Sequence, residues 1–409
     1  MSSINFFPNP VIQRDFELIE RKGIGHPDTL ADALAESLSR SYSNYTLSHH
    51  GAILHHNFDK VGLLGGKAFV SFGKGYLTSP IRVLINGRVS TSFGDTSIPY
   101  MDLITDTVYA FFKEHFFDLV KKTDLKIHFN LSNASSPGKT EEKESEKGKR
   151  KFWFEPRDLD DLPELKSLFS NDTSLGCSYA PLTTLEKTVL SIEGLLNSKK
   201  YQKHHPWCGS DIKIMASRIL KKIDITFCLP QIANYVYSLQ EYKQNIDNSR
   251  EEVFKIIRNN FPKSEINLNI NTRDQYDTGE LYLTATGSSI ESGDEGLVGR
   301  GNRIHGLIPM LQPMSMEGAC GKNPVYHVGK LYNIAAYKIA NALFNKTGQP
   351  VMVFLVSQSG SDLIRPWKTI VCLDSNNLDL KQLIKLVKHE LDSIPDITKE
   401  LLQNKIRLY

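Results

Sequence analysis

With 409 residues, 40% hydrophobic and 23% charged, the chain has the composition of a soluble globular protein with a large core, arranged as two or three domains or as one elaborate unit. A net charge of +3 gives no bulk electrostatic case for nucleic acid or an anionic membrane surface. No apolar run approaches a membrane span, the N-terminus lacks a signal-peptide pattern, and the five scattered cysteines form no CxxC pair, so a cytoplasmic enzyme without a zinc site or disulfide framework is expected.

Residues 14–20 (RDFELIE) alternate polar and apolar and read as a half-buried strand. The chain then passes Arg21, Lys22 and two glycines into His26-Pro27-Asp28, after which Leu30, Leu34 and Leu38 repeat at helical spacing. His26 and Asp28 therefore stand at the mouth of a strand–turn–helix, where first-turn N–H groups favour an anion; a plain capping turn would use the same residues. Residues 51–61 look like a strand on which Asn57 and Asp59 share a face and offer oxygens to a hard cation such as Mg²⁺. The adjacent His55 and His56 have no third ligand at useful spacing and read as structural. Short strands follow over 65–95, with Asn86-Gly87 as a hairpin signal. A helix is expected over 101–121 and a strand at KIHFNLS, and residues 133–151 read as a charged, low-complexity surface loop.

Packed structure resumes at FWFEPRDLDDL. Asn171-Asp172-Thr173-Ser174 form a turn whose oxygens would serve equally as caps or as ligand contacts. PLTTLEKTVLSIEGLLNSKKY reads as a helix, and Asp211 and Lys213 share one face of the strand that follows. KIDITFCLP, INLNINTRD and ELYLTATGSS read as further strands, with SREEVFKIIRNNF a helix among them. Residues 291–330 then gather eight glycines with Arg300, Arg303, Lys322 and Lys330. Close turns there can aim cations at an anion, while Asp294 and Glu295 can hold a divalent metal or orient the arginines; the plainer reading is a glycine-rich hairpin with solvated charges. A helix from VGKLYN, two strands and a closing helix complete the chain. This alternation predicts an α/β (α+β) fold with mixed sheets. P-loop, dinucleotide-fingerprint and nucleophile-elbow patterns are missing, which leaves a phosphate-rich ligand held by cations.

GIGHPD, HHNFDKV, NDTSLGCSYAPL, DIKIM, GDEGLVGRGNR and GKNPVYHVGKLYN, in this order, resemble the archaeal-type methionine adenosyltransferases (S-adenosylmethionine synthetases). The resemblance implies a single catalytic unit over 1–409 made of three pseudo-repeated, interleaved α/β subdomains. It also implies a homodimer with active sites between subunits, ATP and L-methionine as substrates, and Mg²⁺ and K⁺ as cofactors. In that chemistry the methionine sulfur attacks C5′ of ATP and expels triphosphate, which is hydrolysed to phosphate and pyrophosphate; a thioether carries no proton, so no base is needed. By matching motif, His26, Lys213, Arg300 and Lys322 would be catalytic. Lys60, Arg303 and Lys330 would bind phosphate, and Asn171, Asp172 and Ser174 would touch the nucleoside or substrate. Asp28, Asn57, Asp59 and Asp294 would hold metal. One departure stands out: the family's D-S-R-I-G-Q-G-S-x-D-L segment is replaced, with Asn130 where an acid is expected and Asp158 as a candidate for the later acid. Two alternatives follow, a divergent member that uses ATP with another acceptor or in a specialised pathway, and a catalytically silent nucleotide-binding relative.

Overall fold

The computed structural model describes residues 4–8, 14–134, 149–374 and 378–409; the greater part of the expected charged loop, 133–151, lies outside them. Three mixed sheets of four or five strands, each backed by helices over its own apolar core, dominate the described fold, with two-stranded pairs besides, in agreement with the expected α/β class. In the first, strands run in the order Leu125–Ser132, Ile81–Val89, Gly62–Leu64, Glu295–Leu297, with His56–Asn57 also on Ile81–Val89. Helices α1 (Pro27–His50) and α2 (Tyr100–Phe116) cover it, and the Leu30, Leu34, Leu38 stripe meets Val83 and Phe112 there. The second sheet runs Glu265–Ile270, Lys222–Phe227, Lys213–Ile219, Phe16–Lys22, Ile308–Pro309. It packs on α3 (Thr184–Leu196), next to the short α4 (Lys199–His204), and on α5 (Leu239–Asn260). The start of α3 is fixed by a capping box, with Thr183 and Glu186 exchanging side-chain and backbone hydrogen bonds. The third sheet, Ile4–Phe7, Lys368–Cys372, Val351–Val356, Leu175–Ala180, carries α6 (Val328–Thr347), α7 (Leu380–Asp392) and α8 (Ile394–Leu402).

Three sequence expectations are corrected. Asn86-Gly87 is no hairpin turn: Ile81–Val89 is one continuous strand, and Gly87 is small because a Cβ would stand 2.0 Å from the Asn57 carbonyl oxygen. The strand expected over 51–61 shrinks to His56–Asn57, because α1 runs on to His50, Gly51 ends it at φ 75°, and residues 59–60 turn. Of ELYLTATGSS only Leu283–Thr284 pairs as strand. The Ala285 and Thr286 amides instead donate to the buried carboxylate of Glu291, at 2.6 and 2.5 Å.

Candidate active site

The strand Phe16–Lys22 delivers the chain to α1 through a tight crossing: a Cβ on Gly23 or Gly25 would stand 2.6 Å from Ile212 O or 2.1 Å from Ser210 Oγ. His26 caps α1, its Nδ1 accepting the Asp28 N–H at 3.2 Å, which makes Nδ1 the unprotonated nitrogen. Desolvation holds the His26 pKa below the ordinary value; Asp211 and Asp28 pull it up, and Lys22 and Lys213 push it further down. Those five side chains are thus one electrostatic cluster at a helix N-terminus, the position best suited to an anion.

Asp28, expected on metal, is engaged within the protein. Its Oδ2 accepts from Lys22 Nζ at 2.8 Å and its Oδ1 from the Leu297 N–H at 3.0 Å. Lys22 Nζ also donates to the Arg300 carbonyl at 2.7 Å. Asp211 is buried, and its Oδ2 accepts from Tyr282 Oη, Ser289 N and Ser289 Oγ. Ser289 Oγ lies 3.1 Å from Asp294 Oδ2 as well, so one hydroxyl links two carboxylates. Lys213, at the start of its strand, is 44% exposed and 3.4 Å from Glu20. Asp211 precedes that strand rather than sharing a face of it with Lys213. The Arg300 side chain is exposed, and Arg303 Nη1 folds back on Gly299 O at 2.9 Å.

A second group of cations lies further along α1. Lys322 is buried and ion-paired with Glu317. Burial, then Lys322, Lys330, Lys60 and Arg88 in turn, hold the His327 pKa well below its ordinary value, so these cations surround the start of α6. Asn57 bridges backbone to Lys322, and its Oδ1 is buried without a hydrogen-bond partner among the described residues. Asp59 and the exposed Lys60 pair with each other at 2.6 Å. Lys330, expected on phosphate, is fully buried, with Nζ 2.9 and 2.8 Å from the two Glu36 oxygens. Asn171 Oδ1 accepts the Val328 N–H at the start of α6, and Asp172 and Ser174 tie their turn to Ser357 through backbone groups. That turn therefore borders the second group, with no described contact to His26. In the departing segment, Asn130 donates to Asn86 across two strands, and Asp158 caps a short 3₁₀ turn through the Asp160 N–H.

Sequence reasoning singled out Asp28 but missed Asp32 and Glu36, which assemble this region with it. Asp28, Asp32 and Glu36, four residues apart on α1, each accept one backbone N–H of the glycine-rich segment: Leu297, Gly299 and Gly321. They share the helical spacing of Leu30, Leu34 and Leu38, and span about 12 Å of helix axis. The glycines serve this docking: a Cβ on Gly296 would lie 1.9 Å from Pro27 O, and Gly321 has φ 75° with Phe58 O 2.7 Å from its Cβ position. A cleft of about 210 Å³ between the second and third sheets holds none of the expected site residues, so its size does not locate the chemistry.

The S-adenosylmethionine synthetase (AdoMet synthetase) family profile matches residues 4–147 and 153–405. The S-adenosylmethionine synthase of Hyperthermus butylicus is 36% identical over 98% of this chain and 97% of its own length. Those of Thermoplasma acidophilum, 35% identical over 98% and 97%, and Methanocaldococcus jannaschii, 36% identical over 98% and 97%, are similar to the same extent. With a profile that spans nearly all of the chain and relatives matched end to end, the chain belongs to the S-adenosylmethionine synthetase family.

Proposed function

We propose that this protein is an ATP:L-methionine S-adenosyltransferase, joining the methionine sulfur to C5′ of ATP and releasing triphosphate that it then cleaves to phosphate and pyrophosphate. The observation that carries the reading is the cluster of His26, Lys22, Asp28, Asp211 and Lys213 at the N-terminus of α1, in a chain matched end to end by S-adenosylmethionine synthases. The barrier in such a displacement is charge building on the leaving triphosphate. The α1 N-terminus, Lys213 and the exposed Arg300 supply fixed positive potential where that charge develops. His26, uncharged and with Nε2–H free to donate, can bind a C5′ or phosphate oxygen without giving up its proton. Lys322 and its neighbours form the second cationic wall, and Arg303 and Lys60 belong to the proposal as further phosphate contacts.

Mg²⁺ belongs to the same proposal, although no group of three or more His, Cys, Asp or Glu side chains stands together as a metal site among the described residues. Asp211 and Asp294 are oxygen ligands brought to one hydroxyl, and among the described residues neither has a Lys or Arg ion-pair partner. Mg²⁺ held there would neutralise phosphate charge when bound. For K⁺ the support is Asn57 Oδ1, a buried neutral oxygen without a donor. A homodimer and the single interleaved three-part catalytic unit belong to the same proposal. Phe16, Leu18, Met215 and Ile219 leave an apolar face of the second sheet 40–54% exposed, which a second copy would cover. No helix among the described residues is long and apolar enough to cross a membrane, and the five cysteines are free, which supports a cytoplasmic setting.

The test is to incubate the protein with ATP, methionine and Mg²⁺, with and without K⁺, and to follow products by mass spectrometry and phosphate release. S-adenosylmethionine with phosphate and pyrophosphate is expected. Triphosphate cleavage without the sulfonium would refute methionine as acceptor, and tight ATP binding without turnover would refute catalysis.

A further inference from the structure

Asp32 is enclosed within α1, 2% exposed, and has no role in the chemistry described above. Its Oδ1 accepts the Gly299 N–H at 2.8 Å. A Cβ on Gly301 would stand 2.3 Å from its Oδ2, so the turn 299–301 closes around both carboxylate oxygens. The same turn is fastened from outside by Lys22 Nζ on the Arg300 carbonyl, and Arg303 ties it to itself through Gly299 O. Arg300, between these anchors, points its side chain outward.

The groups that face Asp32 are Arg303 on the glycine-rich segment, Asp28 on its own helix, Lys22 on the preceding strand, and Cys320 beside α6. Next to it a cavity of about 20 Å³ is walled by Arg303, His305, Glu317 and Cys177 as well. Arg303 Nε and His305 Nδ1, both buried there, have no hydrogen-bond partner among the described residues. The cavity has room for one water, which would complete a polar network from Asp32 to both nitrogens.

We propose that Asp32 is the positioning residue for Arg300. Its carboxylate fixes the Gly299–Arg303 turn, so the arginine is aimed before the triphosphate arrives. This rests on the adenosyltransferase reading above. Burial raises the Asp32 carboxyl to about 7 against the pull of the Gly299 N–H and Arg303, so the anchor changes charge near neutrality. Asparagine keeps the acceptor for Gly299 and the shape, and loses only the charge. Alanine loses all three.

The experiment compares wild type, Asp32→Ala, Asp32→Asn, Arg300→Ala and the Asp32→Ala/Arg300→Ala double variant. Readouts are kcat and ATP KM over pH, and amide exchange of residues 297–303. Asp32→Ala should lower kcat on the order of 100-fold, as a misaimed group does, with little change in KM and faster exchange at Gly299. The double variant should be no slower than Arg300→Ala alone. Asp32→Asn should recover most of kcat while losing the change near pH 7. Wild-type kcat in Asp32→Ala, or losses that multiply in the double variant, would overturn the proposal. A wild-type protein that makes no S-adenosylmethionine refutes the functional reading and Arg300's role with it; the exchange rates separate that failure from a failure of Asp32 to hold the turn.

Discussion

Replacing Lys330 by methionine separates two readings of a motif lysine. The side chain is fully buried and both its short contacts go to Glu36, whose own exposure is 6%. Methionine fills most of the volume, so the main loss is the charge. Glu36 would keep only the Gly321 N–H, leaving a desolvated carboxylate without its cation. Breaking one side of such a pair costs about 3–5 kcal/mol, against the 0–1 kcal/mol of a solvated pair. Removing both charges, as in Glu36→Gln/Lys330→Met, keeps an acceptor for Gly321 and should recover most of that loss. Urea unfolding of wild type, Lys330→Met, Glu36→Gln and the double variant, with ATP KM measured on each, gives the coupling. A Lys330→Met cost below about 1 kcal/mol, with ATP KM raised equally in single and double variants, would refute the argument and return Lys330 to the phosphates.

His26→Ala should abolish turnover and lower stability by about 1 kcal/mol through the lost cap; His26→Asn should restore the cap but not the rate. Parallel turnover and melting assays decide, and a near-normal rate in either variant would remove His26 from the chemistry. Gly296→Ala places a Cβ against Pro27 O and should separate the glycine-rich segment from α1, with loss of activity and a lower unfolding midpoint; wild-type behaviour would show that the contact relaxes freely. Burial pushes the His56 imidazole down to about 3. As pH falls below about 6.5 the unfolded chain takes up a proton there and the fold does not, so stability drops by about 2 kcal/mol between pH 7 and 5. In His56→Gln that component disappears; equal pH slopes in both proteins would contradict the buried neutral histidine.

The elements most legible in the sequence are those whose periodicity faces a core. The Leu30, Leu34, Leu38 stripe, the capping box before α3 and the run from Val328 are local signals that packing reinforces. Asn86-Gly87 misleads because the glycine answers to a backbone 30 residues away in sequence, and no local pattern records that. His26, Lys213 and Asp28, drawn from three separate motif positions, stand in one electrostatic cluster. Lys330 pairs with Glu36 in the interior, and a buried ion pair and a phosphate contact draw on the same residue type, so the motif alone does not tell them apart. The clue to it was available: Glu36 lies in register with Asp28 and Asp32, on a helix already read as half core.

Each sheet pairs one of its early strands with a segment distant in sequence. Ile4 aligns with Thr369, Phe16 with Ile219, and Leu64 with Glu295. On a ribosome that adds 5–20 residues per second, the earliest strand waits roughly 20–70 seconds for its neighbour. None of the three cores can be sealed in the order in which it is made, and the interleaving that joins α1 to the glycine-rich segment leaves the nascent chain with open sheet edges until synthesis is nearly over. The fold thus places on the cell, rather than on the finished enzyme, the task of keeping those edges apart from other chains.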